Sequence, residues 1–143
     1  SGDDGIMDIP GAKDKIDPTT FEQILEMDDD EEERDFSKSI VYDFFTQAES
    51  TFEKMDANLE SKDLKTLSEL GHFLKGSSAT LGLTKVQASC EKIQHYGHKK
   101  DESGTKDITE EEGLSKLKTT IEQAKQEFRE VEKVLKTFYH DES

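Results

Sequence analysis

Residues 110–138 read EEEGLSKLKTTIEQAKQEFREVEKVLKTF, and their pattern decides the fold. Leu114, Leu117, Ile121, Ala124, Phe128, Val131, Leu135 and Phe138 alternate steps of three and four, drawing one apolar stripe along a helix. Thr109 stands just before it, with Glu112 three residues on, a capping box that starts the helix. A single stripe on so long a helix needs partners, and three amphipathic segments upstream supply them. Residues 84–99 put Val86, Cys90, Ile93 and Gly97 on one line, with Gln94 at its edge. Residues 36–60 carry Ile40, Val41, Phe44, Ala48, Phe52, Met55 and Leu59 at helical spacing. A third segment, capped by Ser61, runs to Leu81, where Gly82 breaks it. Asp17-Pro18 opens a short first helix, Asp as N-cap and Pro at N1, with Phe21, Ile24 and Leu25 on its apolar side and an end near Met27. No strand pattern competes. The expected fold is all-α: an antiparallel four-helix bundle with a short additional N-terminal helix.

The remaining segments read as connections. Residues 1–16 mix Gly, Asp, Lys and one Pro without periodicity, so a flexible tail is expected ahead of one domain spanning 17–143. Asp28 to Asp35 is a run of eight charged residues, seven of them acidic. It does not fit a calcium loop: counting twelve from Asp28, the glycine position holds Glu33 and the bidentate-glutamate position holds Ser39. A solvated linker is the expectation. Lys99 to Asp107 forms a polar, glycine-containing loop.

Composition narrows the function. A net charge of −15 and a pI near 4.6 argue against nucleic acid and anionic membrane as partners, since both are polyanions. Leu, Ile, Val and Phe make up only 31 of 143 residues, so spacing rather than quantity must build the core. No run approaches the ~20 apolar residues of a membrane span, and no signal peptide is seen. The single cysteine, Cys90, suits a reducing compartment. A cytoplasmic and nuclear monomer is expected.

One residue stands outside the packing logic. On a wheel centred on Leu74, the residues Leu67, Leu70, Gly71, Ser77, Ser78 and Leu81 share the apolar face. His72 falls almost opposite, with Lys65, Ser68, Lys75, Gly76 and Ala79 around it. Packing does not demand a histidine there. A neutral imidazole with an exposed nitrogen can attack phosphorus, and an ammonium one turn along can hold the phosphoryl oxygens. Gly71-His-Phe-Leu-Lys-Gly76-Ser77-Ser78 only approaches a P-loop: no lysine follows the second glycine and no strand precedes it. Any phosphoryl group on His72 would therefore come from another protein, not from ATP. His95 and His98 lack a third metal ligand and read as surface residues, and Cys90 reads as a small core residue.

The string Gly71-His-Phe-Leu-Lys-Gly-Ser-Ser-Ala-Thr-Leu-Gly-Leu83, with Met27-Asp-Asp-Asp30, Asp35-Phe-Ser-Lys38 and Cys90-Glu-Lys-Ile-Gln94, resembles the histidine-containing phosphotransfer (HPt) family. The likeness is to its fungal phosphorelay intermediates of the osmosensing type, and runs from about Phe21 to Tyr139. It implies a phosphoryl carrier rather than an ATP-dependent kinase. His72 would accept the group from a receiver-domain aspartate of a hybrid sensor kinase and pass it to a response-regulator receiver. Lys75 would steady the group, Gly76 would let a receiver loop approach, and Gln94 would hydrogen-bond near the imidazole. Ile24, Met27 and Phe36 would form the apolar landing area for receivers. His98 stands where close fungal relatives tend to carry a basic residue. No cofactor of its own is implied, Mg2+ belonging to the receiver. The competing expectation is a non-catalytic acidic helical adaptor, which should lack the histidine, lysine and glycine found here.

Overall fold

A computed structural model describes residues 5–141. Five helices account for most of it: α1 (Pro18–Leu25), α2 (Asp35–Glu60), α3 (Leu64–Thr80), α4 (Thr84–Gly97) and α5 (Glu110–Phe138). Among the described residues there is no strand, only two isolated bridges, Ile16 with Leu83 and Lys100 with Asp107. Each of α2 to α5 packs on the next, and α2 meets α5 to close the ring. Short connections between α2, α3 and α4 force neighbours to run antiparallel. The expected four-helix bundle with a short leading helix is the architecture observed.

The apolar stripes face inward as their periods dictate. Leu117, Ile121, Ala124, Phe128, Val131, Leu135 and Phe138 are buried, and Leu114 lies partly buried against the core. The Phe128 ring collects Phe44, Phe45 and Phe52 of α2, with ring centroids 5.9–6.0 Å apart. Such edge and tilted contacts add to plain area burial. The Thr109–Glu112 capping box forms as expected. Asp17 caps α1, accepting from the Thr19 N–H at 3.1 Å.

Helices α3 and α4 approach closely because two glycines let them. A Cβ on Gly71 would lie 2.9 Å from the Cys90 carbonyl oxygen and the Gln94 nitrogen. One on Gly97 would lie 2.7 Å from the Ser68 nitrogen. Backbone cannot give way as a flexible side chain can, so Gly71→Ala should cost about 1–3 kcal/mol. A lowered denaturant midpoint at unchanged slope would check this.

Four expectations are corrected. Ser61 does not cap α3; Asp63 does, its carboxylate accepting from Thr66 N–H at 3.1 Å and from its hydroxyl at 2.7 Å. Ser61 instead terminates α2. Residues 5–16 are no loose tail: Ile6, Ala12 and Ile16 are buried, and the Thr84 N–H donates to the Lys15 carbonyl at 3.1 Å. Residues 1–4 of that expected tail lie outside the described residues. The acidic run is folded, Asp28 accepting from the Ser37 N–H at 2.7 Å and Asp30 from the Glu32 N–H at 2.8 Å. Finally, Ser68, placed by the wheel on the His72 side, is buried and donates to the Gln94 carbonyl at 2.9 Å. The close approach of α4 at Gly97 widens the buried arc of α3 past its own apolar stripe.

Candidate functional site

Helix α3 presents His72 to solvent as the wheel requires. Its ring makes no hydrogen bond or ion pair among the described residues. The preceding residue, Gly71, is clamped against α4, so the helix that carries the imidazole is fixed from behind. One turn on, Gly76 is exposed, and a Cβ there would meet nothing within 4 Å. The two glycines of this helix therefore serve opposite purposes: Gly71 fits a neighbour inside the protein, and Gly76 leaves free space outside it. Lys75 is half-buried, with no ion pair among the described residues.

Gln94 of α4 sits at the level of Gly71, their backbones in contact distance. Its Oε1 is the one buried side-chain polar atom among the described residues that lacks a hydrogen-bond partner. A buried acceptor left unpaired costs about 1–3 kcal/mol, and this one belongs to the helix packed against Gly71, the residue before His72. No hydrogen bond joins Gln94 to His72 in this structure.

Electrostatically the site departs from the whole chain. Residues 1–34 contain thirteen acidic and three basic residues, which accounts for ten of the fifteen net negative charges. Helices α3 and α4 carry Lys65, Lys75, Lys85 and Lys92 against Glu69 and Glu91, a net +2. The histidine thus lies on a helix whose own charge, Lys65 and Lys75 against Glu69, is positive in an acidic protein, and within a Debye length of ~8 Å nearby charges outweigh distant ones for an approaching anion.

The expected landing residues divide. Met27 is 61% exposed and Phe36 47%, whereas Ile24 is buried at 6% and serves the core, which corrects its assignment as a docking residue. Phe73, adjacent to His72, is also half exposed, at 50%, and the sequence reading did not single it out. The signal was present: an aromatic residue off the apolar stripe beside the histidine has no packing reason to be there. A shallow groove between α2 and α3, lined by Ile40, Asp43, Gln47, Ser77 and Thr80, begins at the residue after Gly76. Gly82, at a φ of +75°, accepts from the Asp17 N–H at 2.8 Å and so seats α1 at the same end of α3.

Other candidates are engaged elsewhere. His95 Nδ1 lies 2.8 Å from the Glu102 carbonyl oxygen, which can only accept, so Nδ1 carries the proton. The His95 ring also packs on Gly104, where a Cβ would come within 3.0 Å of it. His98 ends α4 and is exposed. Burial pushes the Cys90 thiol up to about 12, so it stays protonated and unreactive at neutral pH. Ser78 is buried and donates back to the Leu74 carbonyl at 2.8 Å, with Ser77 only partly covered.

Residues 39–127 match the family model described as the Hpt domain. The chain is 46% identical over 132 residues to multistep phosphorelay regulator 1 of Schizosaccharomyces pombe, covering 92% of this chain and 44% of that protein. It is 55% identical over 84 residues to the phosphorelay intermediate protein YPD1 of Candida albicans, covering 59% and 45% respectively. The chain thus spans less than half the length of either relative. A co-crystal structure of the Saccharomyces cerevisiae histidine phosphotransfer signaling protein Ypd1 with the receiver domain of its downstream response regulator Ssk1 superposes at a TM-score of 0.77. That match has 34% identity and covers 92% of this chain and 97% of that one.

Proposed function

Because this chain belongs to the Hpt domain family, we propose that it is a phosphorelay intermediate, taking a phosphoryl group on His72 from one receiver domain and delivering it to another. The observation that carries the reading is the geometry of α3: an exposed, unpartnered imidazole with open space at Gly76 one turn away. The co-crystallised yeast relative binds a receiver domain, which supports receivers as partners here too.

Neutral His72 attacks through Nε2, in line with the bond between phosphorus and the receiver's aspartate oxygen. The P–N bond forms as that P–O bond breaks, and the carboxylate leaves with the electron pair. The Nδ1 proton stays on the ring, and Gln94 Oε1, unpaired on the neighbouring helix, is the acceptor proposed for it. Lys75 offsets the charge of the phosphoryl oxygens, and most of the catalysis is positioning and charge neutralisation. The acidic pocket that would hold Mg2+ belongs to the receiver. The reverse step, toward a second receiver, uses the same groups.

Incubation with a phosphorylated receiver domain tests this directly: acid-labile, base-stable phosphate should accumulate on His72. Label on the receiver alone would overturn the reading. Lys75→Ala should slow transfer by about tenfold or shorten the phosphohistidine's lifetime, with receiver binding retained; an ammonium that merely solvates the helix would leave both unchanged.

A further inference from the structure

The acidic segment after α1 does more than connect. Ser37, fully buried in the first turn of α2, holds three polar groups together. Its N–H donates to Asp28 Oδ1 at 2.7 Å and its hydroxyl to Asp28 Oδ2 at 2.6 Å. Its Oγ in turn accepts from the Tyr139 hydroxyl at 2.8 Å. The direction of this relay is fixed, because a carboxylate can only accept. Burial pushes the Tyr139 phenol up to about 12, which keeps it a donor throughout the neutral range. A second link runs parallel: the Arg34 guanidinium stands 4.3 Å over the ring of Phe138. Arg34, the N-cap position of α2, has a left-handed φ of 52° and supplies no side-chain cap, so the capping bond comes from Asp28 instead.

The residues so tied are the immediate neighbours of Met27 and Phe36, two of the large hydrophobic side chains left exposed. They stand at the two ends of the charged loop, Met27 just after α1 and Phe36 in the first turn of α2, and the loop's charged sequence would otherwise leave it mobile. From these contacts we propose that Tyr139, acting through Ser37 and Asp28, is a positioning residue for receiver docking: the last turn of α5 forms the floor on which the Met27–Phe36 surface is held in its binding shape. The proposal rests on the reading of the chain as a phosphotransfer intermediate. Preorganisation of this kind lowers the cost of ordering a loop on association and shows as affinity, not as chemistry.

The split is measurable. In Tyr139→Phe the Ser37–Asp28 pair and the Arg34–Phe138 contact persist, so the bundle folds, while the hydroxyl link from Tyr139 to Ser37 is lost. The dissociation constant for an unphosphorylated receiver domain should rise by about fivefold or more. Transfer at saturating receiver should stay at the wild-type rate, as should labelling of His72 by phosphoramidate, a donor too small to need the docking surface. Ser37→Ala, which removes the hydroxyl bonds to both Asp28 and Tyr139 while keeping the backbone N–H bond to Asp28, should weaken binding further. Ile121→Val, a core truncation in the middle of α5, should leave the dissociation constant unchanged. Wild-type affinity in both Tyr139→Phe and Ser37→Ala would overturn the proposal while leaving the phosphotransfer reading intact. So would a loss of affinity in Ile121→Val equal to that in Tyr139→Phe, because the effect would then be one of general stability. Failure of wild type to take phosphate from either donor would instead remove the reading on which the proposal rests.

Discussion

His72→Gln should reduce phosphoryl acceptance to background while the melting temperature stays within about 2 °C of wild type. The imidazole touches nothing it would leave unsatisfied: it is exposed and has no hydrogen bond or ion pair among the described residues. Glutamine is a slightly better helix former than histidine, so the backbone loses nothing. It fills similar space, hydrogen-bonds to water equally well, and cannot form a P–N bond under these conditions. A substitution that is silent in stability and total in chemistry is the signature of a nucleophile. Histidine number gives a built-in control. His95→Gln gives up the bond to the Glu102 carbonyl and should loosen the 98–108 loop, yet phosphate should still map to His72. The same holds for the exposed His98. Phosphate found on either of those rings, or persisting in His72→Gln, would show that another residue carries the group.

How far such a site can be read from sequence depends on which interactions carry the signal. The α5 stripe and the Thr109 capping box are local and periodic, so eight positions and one cap told the helix, its face and its start together. His72 was legible for the opposite reason, as a residue that the period of its own helix could not explain. Ser68 was misplaced because a wheel knows one helix at a time. Its burial comes from Gly97 on α4, whose missing Cβ lets the backbones meet. The stretch 5–16 reads as a tail because Gly5, Pro10 and Gly11 interrupt any helical run; what holds it is long-range, the Ile16–Leu83 bridge, the Thr84 N–H on the Lys15 carbonyl and the Lys85–Asp14 ion pair. The charged run 28–35 looked solvated because composition reports charge and not partners. Asp28 has its partner at Ser37 and, through it, at Tyr139, more than a hundred residues away. Contacts of that separation leave no local pattern. Phe73 is hidden differently: an aromatic residue at one helical position reads as core unless the faces of the neighbouring helices are known.

Gly76→Gln should bind receivers weakly and transfer phosphate about a hundredfold more slowly, yet be at least as stable as wild type. The argument joins two quantities that usually move together. Glycine inside an exposed helix is worse than an ordinary residue by up to ~1 kcal/mol, and nothing lies within 4 Å of the Cβ that glutamine would add. Folding therefore has something to gain, which in a domain of this size is a rise of about 2–4 °C. The cost falls outside the molecule. The side chain would occupy the space one turn from His72 that a receiver's loop must enter, and in-line attack tolerates little displacement of the two reacting atoms. Gly71→Ala is the mirror case on the same helix: there the added atom meets the backbone of α4 at 2.9 Å, so stability falls while the outer surface is untouched. Measured side by side, Gly76→Gln should slow transfer while melting at or above wild type, and Gly71→Ala should melt lower while transfer at His72 holds. A Gly76→Gln protein that melts well below wild type would mean that the outer face of α3 is covered, contrary to the exposure of His72. Wild-type affinity and rate in that protein would mean that receivers approach the imidazole from another side, and the surface running from Gly76 to Phe36 would lose its role.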